Sequence, residues 1–407
     1  MDLPTTTPPP PDEARHPLEV GRIFLRLGLT SFGGPVAHVG YFRREFVDRR
    51  RWLDEEHFGQ LLALCQFLPG PASSQLGFSI GLLRAGWPGA IAAFLAFTLP
   101  SALLMFAFAL WSNHLASPWG QSVVHGLKLV AVAIVAQGVM AMARKLCPDW
   151  PRALLAVAAT AASILNTSAW TQLLIVACGA ALGLWACRDL NGRQGETFSL
   201  RYGPKAGAWL LVLYGALLTI AITAAPDLPR LGQVASAFYR TGALVFGGGH
   251  VVLPLLKQAV VDPGWVMPDA FLSGYGAAQA MPGPMFTLSA FLGKQIYSGA
   301  GGWLGATVSV LMIFLPGLLL ISGVLPYWRS LASKAWVASM LAGVNAIVVG
   351  LLASAFYNPV WVGAMRSRQD IAVAAIAFAG IAWARWPVLI MVAWCVGASL
   401  VISAPFT

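Results

Sequence analysis

Long uncharged stretches constrain this chain more than any other feature of its sequence. Residues 87–111 form a run of 25 residues without Asp, Glu, Lys or Arg. As an α-helix such a run extends about 37 Å, which exceeds the hydrocarbon thickness of a bilayer. Further apolar runs occupy 121–143, 153–165, 170–187, 206–225, 302–325, 335–357, 371–384 and 387–404. The pattern predicts an all-α, polytopic membrane protein.

The composition supports the same class. Of the 407 residues, 57% are hydrophobic and 10% are charged, whereas about 25% are charged in ordinary soluble proteins. A soluble enzyme is thereby excluded. The net charge of +10 has two interpretations, which are cytoplasmic loops rich in Lys and Arg and attraction of an anionic substrate.

An internal repeat is the most informative pattern in the chain. Arg26 and Arg240 each precede a Phe-Gly-Gly triplet, at 32–34 and 246–248. A Pro-Gly-Pro triplet follows in each half, at 69–71 and 282–284, and then a mid-span Leu-Pro pair, at 99–100 and 315–316. We therefore predict a disordered tail (1–17), a first repeat (18–190), a linker with one membrane helix (191–228) and a second repeat (229–407).

The single span in the linker predicts that the two repeats are inverted relative to each other, as in many secondary transporters. The first-half loop 43–51 holds five arginines, whereas its counterpart 257–264 holds one Lys and one Asp. The loop between the two long spans of each half shows the opposite difference. In the first half this loop, 112–118, has no Lys or Arg, whereas the matching loop of the second half has Arg329 and Lys334. Both differences fit the positive-inside rule, with a cytoplasmic N-terminus; Arg366 and Arg368 do not fit it.

The Pro-Gly-Pro segments interrupt apolar stretches whose halves are too short to span a membrane. We predict a re-entrant pair of half-helices at each triplet, with about four further membrane segments per repeat. Irregular backbone at membrane depth is tolerated inside protein or beside a water-filled cavity, and a helix N-terminus there favours an anion. A helix kink with local capping is the alternative interpretation.

Other polar residues extend this predicted anion site. Arg26 and Arg240 offer bidentate donors at membrane depth, although snorkelling to a lipid headgroup explains them too. His38 and His250 are candidate donors or interfacial residues, and Lys128 and Lys294 are equally open between a binding and a structural role. The candidate substrate-binding residues are Arg26, Gly33, Gly34, His38, Gln66, Pro69, Gly70, Pro71, Ser73, Ser74, Lys128, Arg240, Gly247, Gly248, His250, Gln279, Pro282, Gly283, Pro284, Thr287 and Lys294.

Several chemistries have no signature in the sequence. The chain lacks a G-x-x-x-x-G-K-[ST] nucleotide motif, a metal-ligand spacing and a nucleophile with its base. Its five cysteines form no C-x-x-C pair and are expected to be buried thiols. We therefore expect neither an enzyme nor a bound cofactor, and no nucleic-acid partner.

These motifs resemble those of the chromate ion transporter family. In the first half the resemblance lies in Phe-Gly-Gly-Pro (32–35), Trp-Leu (52–53), Leu-Cys-Gln-Phe-Leu-Pro-Gly-Pro (64–71) and Leu-Pro-Ser (99–101). In the second half it lies in Phe-Gly-Gly-Gly (246–249), Val-Leu-Pro (252–254), Pro-Gly-Trp (263–265) and Gln-Ala-Met-Pro-Gly-Pro (279–284). It covers roughly 18–405.

The resemblance implies a two-domain protein of a bacterial-type cytoplasmic membrane that exports chromate and confers chromate resistance. It also implies that sulfate, a similar tetrahedral dianion, competes. A sulfate or other oxyanion carrier, and a membrane sensor that binds an anion without transport, are the alternatives. Membrane lipid surrounds such a protein, and assembly into a homo-oligomer is left open.

Overall fold

The computed structural model describes residues 16–32, 34–112, 118–165, 169–187, 198, 200–245, 252–297, 299–332, 334–384 and 386–403. The tail 1–15 and the candidate residues Gly33, Gly247, Gly248 and His250 lie outside these ranges. Within them every regular element is a helix. The predicted all-α class is therefore confirmed.

The described helices are numbered in chain order, and the first and second halves are the two predicted repeats. Those of the first half are α1 (Pro17–Thr30), α2 (Gly34–Arg43), α3 (Glu55–Phe67), α4 (Ala72–Trp111), α5 (Pro118–Leu146), α6 (Trp150–Leu165) and α7 (Ala169–Ala186). The linker helix is α8 (Pro204–Thr223). Those of the second half are α9 (Arg230–Leu244), α10 (Val252–Leu256), α11 (Pro268–Ala280), α12 (Leu288–Ile296), α13 (Gly302–Val324), α14 (Trp328–Ala332), α15 (Ala335–Ala355), α16 (Val362–Ala364), α17 (Arg368–Ala382) and α18 (Val388–Ser403).

Short π-helical and 3-10 turns join several of these helices. The π-helical turns are Arg44–Arg49, Lys257–Val261 and Phe356–Trp361. The 3-10 turns are Ala225–Asp227, Met285–Thr287, Gly299–Gly301 and Leu325–Tyr327.

Five of the described helices are long and apolar enough to cross a membrane. They are Ala72–Trp111, Trp119–Leu146, Pro204–Thr223, Gly302–Tyr327 and Ala335–Ala364. Shorter apolar helices lie beside them, including α6 and α18. The chain is thus a multi-pass membrane protein, as its composition predicts.

Helix α4 consists of two helices that meet at a sharp reversal. Ala85 and Gly86 have non-helical backbone angles, and φ of Gly86 is +68°. A Cβ placed on Gly81 would lie 2.5 Å from the carbonyl oxygen of Gly89, so the chain on either side of the reversal doubles back on itself. The second half makes the same turn between α12 and α13, where Gly293 faces the Gly305 carbonyl. The sequence predicts the boundary in α4, because the uncharged run begins at Trp87, directly after Gly86.

In each half the first helix packs against the long span through a glycine. A Cβ on Gly28 of α1 would lie 2.8 Å from the Phe97 carbonyl oxygen of α4, and Gly242 of α9 faces the Ile313 carbonyl of α13 in the same way. Both glycines belong to the predicted repeat. Close helix approach through small residues is a common packing mode in membranes, and here it fixes each first helix beside the long span that carries the Leu-Pro pair.

The two halves are interlocked. Helix α5 of the first half packs against α11, α17 and α18 of the second. Conversely, α15 of the second half packs against the α6 and α7 hairpin of the first. Each half's second long helix therefore lies on the short hairpin of the other half.

Candidate functional site

Both Pro-Gly-Pro segments form tips between two helices, for a local reason. Leu68 and Met281 are extended, because a residue that precedes proline is driven out of the helical region. Helices α3 and α11 therefore end there. Gly70 then has φ of +127° and Gly283 has φ of +93°, values that favour glycine strongly.

Each tip forms a hydrogen bond with the opposite half. The Gly70 N–H donates to the Val245 carbonyl at 2.6 Å, and the Gly283 N–H donates to the Ser31 carbonyl at 3.0 Å. Ser31 and Val245 are the residues that end α1 and α9, and each directly precedes a Phe-Gly-Gly triplet. The exchange is reciprocal and joins the two motifs of the predicted repeat across the molecule.

Close steric contacts also join each tip to the opposite half. A Cβ on Gly70 would lie 2.9 Å from Gly317 Cα, and a Cβ on Gly283 would lie 2.9 Å from Ser101 Cβ. Ser101 and Gly317 each follow the proline of the matched Leu-Pro pair. We call the region where the tips meet α1, α4, α9 and α13 the seam.

His38 connects three elements at the first-half side of the seam. Its Nε2 lies 3.2 Å from the Ser31 carbonyl oxygen, and its Nδ1 lies 3.4 Å from Ser73 Oγ. Because a carbonyl oxygen only accepts, Nε2 carries the hydrogen and Nδ1 accepts from the Ser73 hydroxyl. His38 thereby holds the start of α4 against the end of α1, and the Ser31 carbonyl accepts from both His38 and Gly283.

Buried hydroxyl groups without partners occur on Ser31 and on chain neighbours of the residues that contact His38. Ser31 Oγ, Ser74 Oγ and Thr98 Oγ1 are buried and form no hydrogen bond within the described structure. Ser74 lies in the first turn of α4, whose cap Pro71 has no side-chain hydrogen bond, so N–H groups of that turn have no intrahelical partner. Thr98 adjoins Phe97, whose ring contacts the His38 ring at a centroid distance of 5.3 Å. Unpaired donors in a buried space are unfavourable, which makes the seam a candidate binding site.

The second tip is different because its hydroxyls are already bonded. Thr287 Oγ1 donates to the Pro284 carbonyl at 2.8 Å and lies 2.6 Å from Ser101 Oγ. Ser289 Oγ donates to the Phe286 carbonyl. The hydroxyls of the second tip are therefore engaged, although Ser309 on α13 of the second half is also buried and unpaired in the described structure.

The glutamines near the tips have unequal environments. Gln66 is exposed, and Gln279 is buried with its Nε2 2.7 Å from Met285 Sδ. Gln75 donates from Nε2 to both the Pro69 and the Gly317 carbonyls at 3.0 Å. Its buried Oε1 is unpaired, so Gln75 braces the first tip and leaves an acceptor in the seam.

The two repeated arginines occupy different environments. Arg26 is exposed on α1, whereas Arg240 is half-buried on α9. They lie at equivalent positions before Ser31 and Val245. The structure therefore brings Arg240 closer to the protein interior than Arg26.

The two candidate lysines lie outside the seam contacts. Lys128 is buried on α5, and its Nζ pairs with Asp269 Oδ1 at 2.6 Å. Lys294 is buried on α12, with its side chain beside Gly302. Each tip thus contacts the opposite half through its glycine, and the two lysines are not part of these contacts.

The arginine-rich loop largely neutralises itself. Arg43 pairs with Asp48 and Glu55, and Arg49 and Arg50 both pair with Glu45. Burial raises the pKa of the Glu45 carboxyl, but hydrogen bonds from Arg50 and Arg49 outweigh burial and hold this pKa below its usual value. These three arginines are therefore engaged in the loop's own structure.

Sequence reasoning did not identify Ser31, Thr98 and Ser101 as site residues. Ser31 precedes a Phe-Gly-Gly triplet and Ser101 follows a Leu-Pro pair, so their positions beside repeated motifs were a usable signal. Thr98 had no such signal, because its importance depends on an unpaired atom that only the fold reveals.

Comparison with known proteins places the chain in a family. The family model described as Chromate transporter matches residues 18–184 and 232–401. The chain is 30% identical over 366 residues to the chromate transport protein of Cupriavidus metallidurans, covering 88% of this chain and 85% of that one. It is 30% identical over 341 residues to the probable chromate transport protein of Synechococcus elongatus, covering 83% of each. No solved structure matches the chain. The chain belongs to the chromate transporter family.

Proposed function

We propose that this chain is a secondary transporter that exports chromate across the cytoplasmic membrane and so confers chromate resistance. The observation that carries the proposal is the set of buried, unpartnered hydroxyls of Ser31, Ser74 and Thr98 at the seam. Family membership supports chromate as the substrate.

A tetrahedral dianion requires several hydrogen-bond donors that converge on it. Ser74 and the first-turn N–H groups of α4 supply donors together with the positive end of a helix dipole. The hydroxyls of Ser31 and Thr98 supply two more. His38 does not bind the anion in this proposal; it positions Ser73 and the Ser31 carbonyl.

Export is favourable on electrostatic grounds. A membrane potential that is negative inside contributes about 2.3 kcal/mol per charge per 100 mV. Moving a dianion outward therefore gains about 4.6 kcal/mol per 100 mV. The absence of a nucleotide-binding motif from the sequence agrees with transport driven by this gradient.

Alternating access follows in this proposal from two inverted repeats with re-entrant tips. Each tip is bonded to the helix end of the other half, so a small displacement of one half breaks or remakes both bonds together. A cytoplasmic N-terminus, predicted from the arginine-rich loop, orients the first repeat.

Chromate flux into inverted membrane vesicles tests the proposal, with a potential positive inside the vesicle and sulfate as competitor. We expect saturable chromate uptake that empty vesicles lack and that collapses with the potential. Uptake of sulfate alone would instead indicate a sulfate carrier. Binding of either anion without flux would indicate a sensor, and both results would overturn chromate export.

A further inference from the structure

A group of charged side chains on α5 faces the second half, away from the seam contacts. His125 Nε2 lies 2.8 Å from Asp370 Oδ1, and Lys128 Nζ lies 2.6 Å from Asp269 Oδ1. Arg366 Nη2 lies 3.9 Å from Asp269 Oδ2. Asp269 therefore lies between two cations that come from different elements.

The two carboxylates of this group are held very differently. The Asp370 side chain is 4% exposed and accepts the backbone N–H groups of Arg366 and Ser367 at 2.9 Å in addition to the His125 contact. Asp370 is thus part of the helix cap of α17. The Asp269 side chain is 66% exposed, and its contacts in the described structure are the two cations. It can leave by breaking ion pairs, without unfolding a helix end.

Lys128 requires an anion at this place. Its side chain is 1% exposed, and a buried ammonium without a counter-charge is strongly unfavourable. Asp269 reaches Lys128 from the exposed side, so a solvent anion has access to the place that its carboxylate occupies. An oxyanion there would meet Lys128 and Arg366, whose guanidinium suits bidentate oxygen contacts.

We propose that Lys128 and Arg366 form a second oxyanion site and that Asp269 is a tethered competitor which the transported anion displaces. This inference rests on the proposed function, since it assigns that function a vestibule. Asp269 begins α11, whose other end leads to the second tip about 16 Å away. Displacement of Asp269 would therefore also release the start of the helix that carries this tip.

The test compares KM for chromate among four variants and the wild type in right-side-out vesicles with a potential positive inside, because the predicted topology places Arg366 on the outer side of the membrane. We expect Asp269→Asn to lower KM about three- to fivefold, the range of a partly exposed ion pair. Lys128→Met keeps the unbranched stem and removes the charge, and we expect it to raise KM about tenfold. In the Lys128→Met background, Asp269→Asn should have no further effect. Asp262→Asn is the matched control, because it removes an equivalent 2.8 Å pair with Lys257, and it should leave KM unchanged.

A purely structural ion pair gives different results. Asp269→Asn would then lower the thermal unfolding temperature in detergent and leave KM unchanged or raise it, which overturns the inference while wild-type flux sustains the proposed function. If the wild type shows no saturable chromate flux, the proposed function fails and the vestibule fails with it.

Discussion

Hydroxyl groups distinguish the two sides of the seam at the scale of single residues. Ser31, Ser74 and Thr98 have no partner in the described structure, whereas Thr287 and Ser289 are bonded within the second tip. The unpaired hydroxyls nearest the tips thus belong to the first half, and Ser309 on α13 is a further unpaired hydroxyl in the second half. We infer that the first half contributes more of the contacts to the anion.

The repeated arginines allow a prediction at the same scale. We expect Arg240→Ala to lower kcat/KM for chromate about tenfold, or about 1.4 kcal/mol. Arg26→Ala should change it less than about twofold, because an exposed arginine can extend to headgroups instead.

Vesicle flux measures both arginine effects, and Arg22→Ala is the control for Arg26 because it is also exposed on α1. Loss of transport in Arg26→Ala with normal transport in Arg240→Ala would contradict the expectation that Arg240, and not Arg26, assists chromate binding.

At the scale of elements, the tips and the helix breaks were predictable and their partners were not. The Pro-Gly-Pro triplets are marked by proline and glycine, which break helices. The start of the long span is marked by Trp87, where the uncharged run begins. The N–H groups of Gly70 and Gly283 donate to backbone carbonyls, those of Val245 and Ser31 respectively. Because every residue has a backbone carbonyl, the residue type does not reveal such an acceptor. The sequence therefore indicated where the chain turns but not what each turn contacts.

The tips carry the prediction that belongs to this scale. We expect Gly70→Ala and Gly283→Ala each to abolish most chromate transport, because the added Cβ would lie 2.9 Å from Gly317 Cα or Ser101 Cβ.

Gly264→Ala separates packing from backbone strain. Gly264 also has positive φ, +74°, but a Cβ there meets nothing within 4 Å. Its flux should remain near the wild-type value. Equal loss of transport in all three variants would mean that strain at positive φ, and not contact across the seam, explains the effect.

At the scale of the whole molecule, the halves are interlocked by more than the tips. Helices α5 and α15 each lie on the other half's short hairpin. The sequence predicted the order of long spans and hairpins from hydropathy, which depends on local composition. It did not predict which hairpin each long helix contacts, because apolar composition does not specify the partner of a helix face.

The central claim is that an oxyanion crosses the membrane through the seam. The most direct measurement is potential-driven chromate flux of the Ser31→Ala/Ser74→Ala double variant in inverted vesicles. Ser273→Ala is the control, since its hydroxyl already bonds to the Ala270 carbonyl. We predict that the double variant raises KM at least about tenfold, since a hydrogen bond to a charged group contributes about 1.5–3 kcal/mol, while the control matches the wild type. Wild-type KM in the double variant would contradict the account.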